Sequence, residues 1–146
     1  SKWSGPKPDK QNLIDAAVAD ALMSDLHTIS PNILGIGPLG PKPITATMGL
    51  AVVKSGRTTA VTSGQCIATG AAVNVQYDRF TGTLEDQDIF AANGNPFSAP
   101  GDSGSLIVDK KEHRPCSLLF AGSAQITVGN PIRHVVDAFN LTFPFN

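Results

Sequence analysis

Five consecutive residues, Gly101-Asp102-Ser103-Gly104-Ser105, carry the strongest chemical signal in the chain, and they stand directly before the apolar run Leu106-Ile107-Val108. Glycines flanking a serine let a tight loop turn the hydroxyl outward and bring backbone N–H groups close to whatever it attacks. Acyl transfer needs both features. A serine is a weak nucleophile without a neighbouring imidazole as base, and the oxyanion of the transition state needs preorganised donors. In isolation Gly-Asp-Ser-Gly also reads as an ordinary turn, so the surrounding elements must decide.

Those elements have to come from 146 residues that are 41% hydrophobic, enough for one core. A net charge of -1 with only 16% charged residues gives no reason to expect nucleic acid or an anionic membrane as partner. No apolar run approaches a membrane span, and the opening Ser1 to Pro8 lacks the apolar core of a signal peptide, so the chain reads as soluble with its compartment unspecified. Fourteen glycines and eleven prolines among many Val, Ile and Thr favour short strands joined by shaped turns, a mostly β fold. Cys66 and Cys116 match no metal or redox spacing and read as buried thiols, with one long-range disulfide as the alternative.

Along the chain, residues 1–11 are expected to form a flexible N-terminal segment. Asn12 to Leu26 places Leu13, Ile14, Val18, Leu22 and Leu26 at helical spacings. Four prolines and three glycines between Ile29 and Pro43 predict a long connecting loop. Strands are expected at Met48–Lys54, Thr59–Thr69, Ala72–Tyr77, Leu84–Ala91, Ser105–Val108, Ser117–Ala121 and Gln125–Val128. The charged stretch 109–115 reads as a solvent-facing turn. Pro131 is placed to open a terminal helix, Ile132 to Asn140, with Val135, Val136 and Phe139 on one face.

Ala99-Pro100-Gly101-Asp102-Ser103-Gly104-Ser105-Leu106 resembles the active-site loop of trypsin-like serine proteases of the chymotrypsin fold, with Ser105 where glycine is usual. Val53-Lys54-Ser55-Gly56-Arg57-Thr58-Thr59, followed by Gly64, is similar to the opening of the second barrel in a divergent bacterial and plant branch. Ala121-Gly122-Ser123 and Gly129-Asn130-Pro131-Ile132 fall where that family forms its substrate-binding wall. The resemblance covers roughly residues 12 to 142. It implies a chymotrypsin-like antiparallel β-barrel in which 12–43 is the end of the first barrel with the interbarrel loop, and 44–146 the second barrel with the nucleophile loop and a C-terminal helix.

Carried over to this chain, the resemblance makes Ser103 the nucleophile and the N–H groups of Gly101 and Ser103 the oxyanion hole. Asp102 becomes a residue that orders the loop, not the catalytic acid. The acid falls on Asp15 within Ile14-Asp15-Ala16-Ala17-Val18-Ala19, which places Asp15 at a strand edge and reverses the local helix reading. Phe97, Ser98, Ala121, Gly122 and Ser123 are the implied substrate-binding residues. With no acid at Phe97, they suggest small or apolar substrate side chains.

The family's order is histidine, aspartate, serine, and no histidine precedes Asp15. His27, His113 and His134 match no part of the motif and have no metal-ligand spacing, so neither metal nor cofactor is implied. The expectation is therefore a fragment of a serine endopeptidase acting on peptides or proteins, inactive alone, whose catalytic histidine lies on an N-terminal piece of the same protein. The competing reading is a non-catalytic binding module that keeps the protease fold.

Overall fold

The computed structural model describes residues 12–22, 24, 27 and 29–143; the expected flexible segment 1–11 lies outside them. Six antiparallel strands close into a barrel: β3 (Ala51–Gly56), β4 (Ala60–Gln76), β5 (Thr81–Ala91), β6 (Leu106–Asp109), β7 (Pro115–Gly122) and β8 (Thr127–Pro131). Their order around the barrel is β3-β4-β5-β8-β7-β6, with β6 returning to pair with β3. Closure gives every barrel strand a partner on each side, while β4 beyond Gln65 and β5 before Asp88 run past their second partners as a two-stranded arm. A separate two-stranded hairpin, β1 (Asn32–Ile33) and β2 (Gly37–Pro38), lies within the Pro/Gly-rich connection that was expected to be loop throughout.

The first three barrel strands follow one another as a meander, and then residues 92–105 carry the chain from β5 to β6 beside β3. That crossover holds the serine loop. β4 is the longest strand because the two expected strands, 59–69 and 72–77, are one. Gly70 does not end it: register shifts between Cys66 and Val73, with Gly70 at φ +67°, mark bulges that bend the strand around the barrel. The core inside it is built from Val52, Cys66, Phe90, Phe97, Ile107, Cys116 and Leu119. Both cysteines are free and buried, and burial together with the Asp88 charge pushes the Cys66 thiol up to about 11.

The helix reading of Asn12 to Leu26 is not borne out over residues 12–22, which adopt no helix; positions 23, 25 and 26 lie outside the described residues. Residues 12–15 instead lie against β5 and β8, where Glu85 N–H donates to Asn12 O at 2.8 Å and Gln87 Nε2 to Leu13 O at 2.9 Å. Val18 and Leu22 are exposed, so the apolar spacing that suggested a helix faces no core among the described residues. The turn at 109–115 departs from expectation in one respect. Asp109 is buried and accepts from the N–H groups of Lys111, Glu112 and Arg114, ordering the turn from inside.

The terminal helix α1 (Ile132–Phe139) starts after Pro131, buries Ile132 and Val135 against β7 and β8, and stops at Asn140 in the left-handed conformation, φ 51°. No helix among the described residues is long and apolar enough to cross a membrane.

Candidate active site

The serine loop is anchored from below through Asp102, which is fully buried. Its carboxylate accepts hydrogen bonds from Thr58 N–H (2.7 Å), Thr59 N–H (3.2 Å), the Thr59 hydroxyl (2.6 Å) and Ala99 N–H (3.0 Å). The Lys54 ammonium stands 3.5 Å away, itself fully buried, and donates also to Thr59 Oγ1 and Ala60 O. Burial alone would push the Asp102 carboxyl up. The four donors outweigh it and hold the group well below the usual carboxylate range. Burial lowers the Lys54 pKa, and Asp102 opposes that shift.

This anchor explains the segment Lys54 to Thr59. Gly56 leaves the space in which the Asp102 carboxylate sits, since a Cβ there would overlap Asp102 Oδ1. The turn after β3 then presents the Thr58 and Thr59 donors. Gly101, at φ +99°, packs so closely on Thr58 that a side chain would collide with its hydroxyl. Sequence reasoning named these residues as a family fingerprint without seeing their task, because their partner lies more than forty positions downstream.

Above the anchor, the loop's N–H groups divide into two sets. Those of Asp102, Gly104 and Ser105 are consumed by Ala99 O, Leu119 O and Asp102 O. Those of Gly101 and Ser103 donate to nothing among the described residues. Two donors two residues apart in one tight loop are thus left available to an oxygen from outside the loop. Ser105 strengthens the loop by donating its hydroxyl to Asp102 O at 2.6 Å, so serine in place of glycine adds a bond there. Ser103 is exposed, and its hydroxyl donates to Phe120 O at 3.1 Å.

Ser103 opens onto a cavity of about 240 Å³ whose wall includes Ser98, Ala121, Gly122 and Ser123. Four of the five expected substrate-binding residues thus share one pocket with the serine. Phe97 does not line it: the ring is 3% exposed, stacked 6.2 Å from Phe90 in the core. Its neighbour Ser98 turns the other way and hydrogen-bonds Thr127 Oγ1 at 2.5 Å.

Asp15 lines a second, larger cavity of about 440 Å³ with Ile14, Tyr77, Phe80 and Leu84, and the two cavities have no lining residue in common. Asp15 N–H donates to Asn130 Oδ1 at 3.0 Å, and Asp15 Oδ2 accepts from the Tyr77 hydroxyl at 2.9 Å. Burial, reinforced by Asp15, pushes Tyr77 up to about 12, so the phenol remains a donor. Asp15 Oδ1 accepts nothing among the described residues. None of the three histidines lines either cavity. His27 is exposed, His113 Nδ1 lies 3.3 Å from Pro38 O, and His134 Nε2 lies 2.6 Å from Asp86 Oδ2.

Residues 13–131 match the family model described as the Nal1 C-terminal domain. Among solved structures, a chymotrypsin of Cellulomonas bogoriensis is 22% identical, with a TM-score of 0.61 over 79% of this chain and 61% of that one. Thermobifida fusca Protease A is 22% identical, with a TM-score of 0.59 over 79% and 60%. A serine protease described as glutamic acid specific, using a histidine triad in substrate binding, is 26% identical, with a TM-score of 0.56 over 73% and 55%. The fold is therefore that of chymotrypsin-like serine proteases. The chain spans 55–61% of the length of these three enzymes. No curated protein sequence matches it.

Proposed function

The chain belongs to the Nal1 C-terminal domain family, and on its chymotrypsin-like fold and serine loop we propose that it is the nucleophile-bearing part of a serine endopeptidase whose general base is supplied by polypeptide outside these residues. The observation that carries the proposal is the pair of unspent donors, Gly101 N–H and Ser103 N–H, beside an exposed serine in a loop pinned by a buried carboxylate. In this reading an imidazole takes the proton from Ser103 Oγ as that oxygen attacks the scissile carbonyl. The two N–H groups receive the oxyanion, and the imidazole then protonates the departing amine. Asp15 orients the imidazole through Oδ1, the carboxylate oxygen that Tyr77 leaves open.

The pocket favours small or apolar side chains in the residue whose carbonyl is attacked. Its wall of Ser98, Ala121, Gly122 and Ser123 holds no charge, so a bound Lys or Arg would bury an unpaired cation. Glutamate recognition of the kind described for the histidine-triad relative has no support here, because no histidine lines the cavity.

Labelling tests the proposal. Intact protein, including the histidine-bearing polypeptide, is treated with aryl phosphonates carrying alanine or lysine at the specificity position, and adducts are mapped by mass spectrometry. The expected result is an adduct on Ser103 that forms at least about tenfold faster with alanine. Intact protein that takes no adduct would replace the protease by the non-catalytic binding module. Faster labelling with lysine would overturn the specificity alone.

A further inference from the structure

We propose that Gln87 and Asn130 are positioning residues, a buried pair of side-chain amides that fixes the backbone on both sides of Ile14 and thereby aims the Asp15 carboxylate; the proposal rests on Asp15 being the acid of the protease reading. Both side chains are fully buried. Two amides shut away from water are costly unless their polar atoms find partners. Here the partners form one continuous relay. Asp15 N–H donates to Asn130 Oδ1 (3.0 Å), Asn130 Nδ2 donates to Gln87 Oε1 (2.6 Å), and Gln87 Nε2 donates to Leu13 O (2.9 Å) and Glu85 O (2.6 Å).

The sheet brings the pair together. Asp88 is in register with Gly129 across β5 and β8, which sets Gln87 and Asn130 opposite one another a step further along. Both then reach out of the barrel to a segment that belongs to none of its strands. Asn12 to Asp15 has one main-chain bond to β5, from Glu85 N–H to Asn12 O. Among the described residues, the Asn12 side chain adds a bond from Nδ2 to Thr83 O (3.4 Å), and the remaining hydrogen bonds to the segment's backbone come from the two amides. They hold main-chain atoms, which leaves the Asp15 side chain free to be set by Tyr77, with Oδ1 open. A carboxylate that must meet an imidazole from another part of the protein needs this preorganisation, since a small misplacement of a triad member costs far more in rate than in stability.

The experiment compares Asn130→Leu and Gln87→Leu with native protein, in intact material, by amide exchange at Asp15 and by kcat and KM on a small-residue peptide ester. Ser117→Ala is the control: it removes another buried hydrogen bond inside the barrel, from Ser117 in β7 to Asp88 in β5, and Ser117 makes no side-chain hydrogen bond in the relay or to Asp15. Expected are an Asp15 amide that exchanges at least about tenfold faster and a kcat lower by roughly 10- to 100-fold with KM nearly unchanged. In an Asp15→Asn background, Asn130→Leu should lower kcat no further. If Asn130→Leu does not fold, Asn130→Ser, too short to reach both partners, carries the same expectations. The proposal is overturned if Asp15 exchange is unchanged, or if kcat falls no more than in Ser117→Ala at equal loss of Tm. Native protein that neither hydrolyses the ester nor accepts a phosphonate at Ser103 would defeat the protease reading and, with it, the assignment of Asp15 as an acid; the exchange measurement would still decide whether the relay holds the segment.

Discussion

Replacing Lys54 by methionine should lower the unfolding free energy by about 3–5 kcal/mol at neutral pH, the usual cost of removing one partner from a buried ion pair. Methionine keeps the length of the side chain, so the loss reports charge and hydrogen bonding more than a cavity. The ammonium spends its protons on Thr59 Oγ1, Ala60 O and Asp102 Oδ2. Without it, Asp102 keeps four hydrogen-bond donors and loses the cation, which places the expected cost toward the lower end of that range. Urea unfolding of Lys54→Met, Asp102→Asn and the double variant measures the coupling, and the double should lose clearly less than the sum of the singles. A cost below about 1 kcal/mol for Lys54→Met would show that the hydrogen bonds alone hold the loop.

The same pair sets an acid limit. Asp102 titrates lower in the folded chain than in the unfolded chain, where a carboxyl has a pKa of about 3.9. The unfolded state therefore takes up the proton more readily. The stability Asp102 contributes is fully present above that value and is lost as pH falls toward the folded pKa. Lys54→Met removes a group that favours the charged carboxylate, so the folded pKa moves up toward the unfolded value, and the loss on acidification should be smaller and complete at a higher pH than in native protein. Unfolding curves from neutral pH down to about pH 1 show whether the two proteins converge as Asp102 becomes protonated.

The serine loop and the barrel strands were legible because their signals are local. Glycines bracket a serine within five residues, and apolar runs alternate with turn residues. What escaped was whatever depends on a distant partner. Lys54 ends an expected strand and carries no sign of its partner until the fold brings Asp102, 48 positions later, beneath it. The spacing of Val18 and Leu22 fits a helix, but both side chains stay exposed, and β5 and β8 offer the backbone of residues 12–15 hydrogen bonds instead. Gly70 reads as a strand end because a glycine interrupts the alternation, although a bulged strand absorbs it without stopping. Phe97 was placed by its distance from the serine. At that position the chain turns a large ring into the core and leaves small residues to line the pocket, a choice that volume, not spacing, decides.

Substituting Ser103 by alanine in the intact protein should lower kcat by about 10⁶-fold, toward the residual rate that binding and oxyanion donors sustain alone. Stability should move by less than about 0.5 kcal/mol, because the residue is exposed and its hydroxyl makes one hydrogen bond, to Phe120 O. That separation identifies a nucleophile. Gly101→Ala makes the contrast, since a Cβ at φ +99° collides with Thr58 and should disturb both the oxyanion donor and the anchor beneath it. The expected pattern is activity lost with Tm kept for Ser103→Ala, and both lowered for Gly101→Ala. If Ser103→Ala hydrolysed the peptide ester at the native rate, any activity of the protein would have to come from somewhere other than this loop. The free N–H pair would then be a binding site for a carbonyl or carboxylate and nothing more.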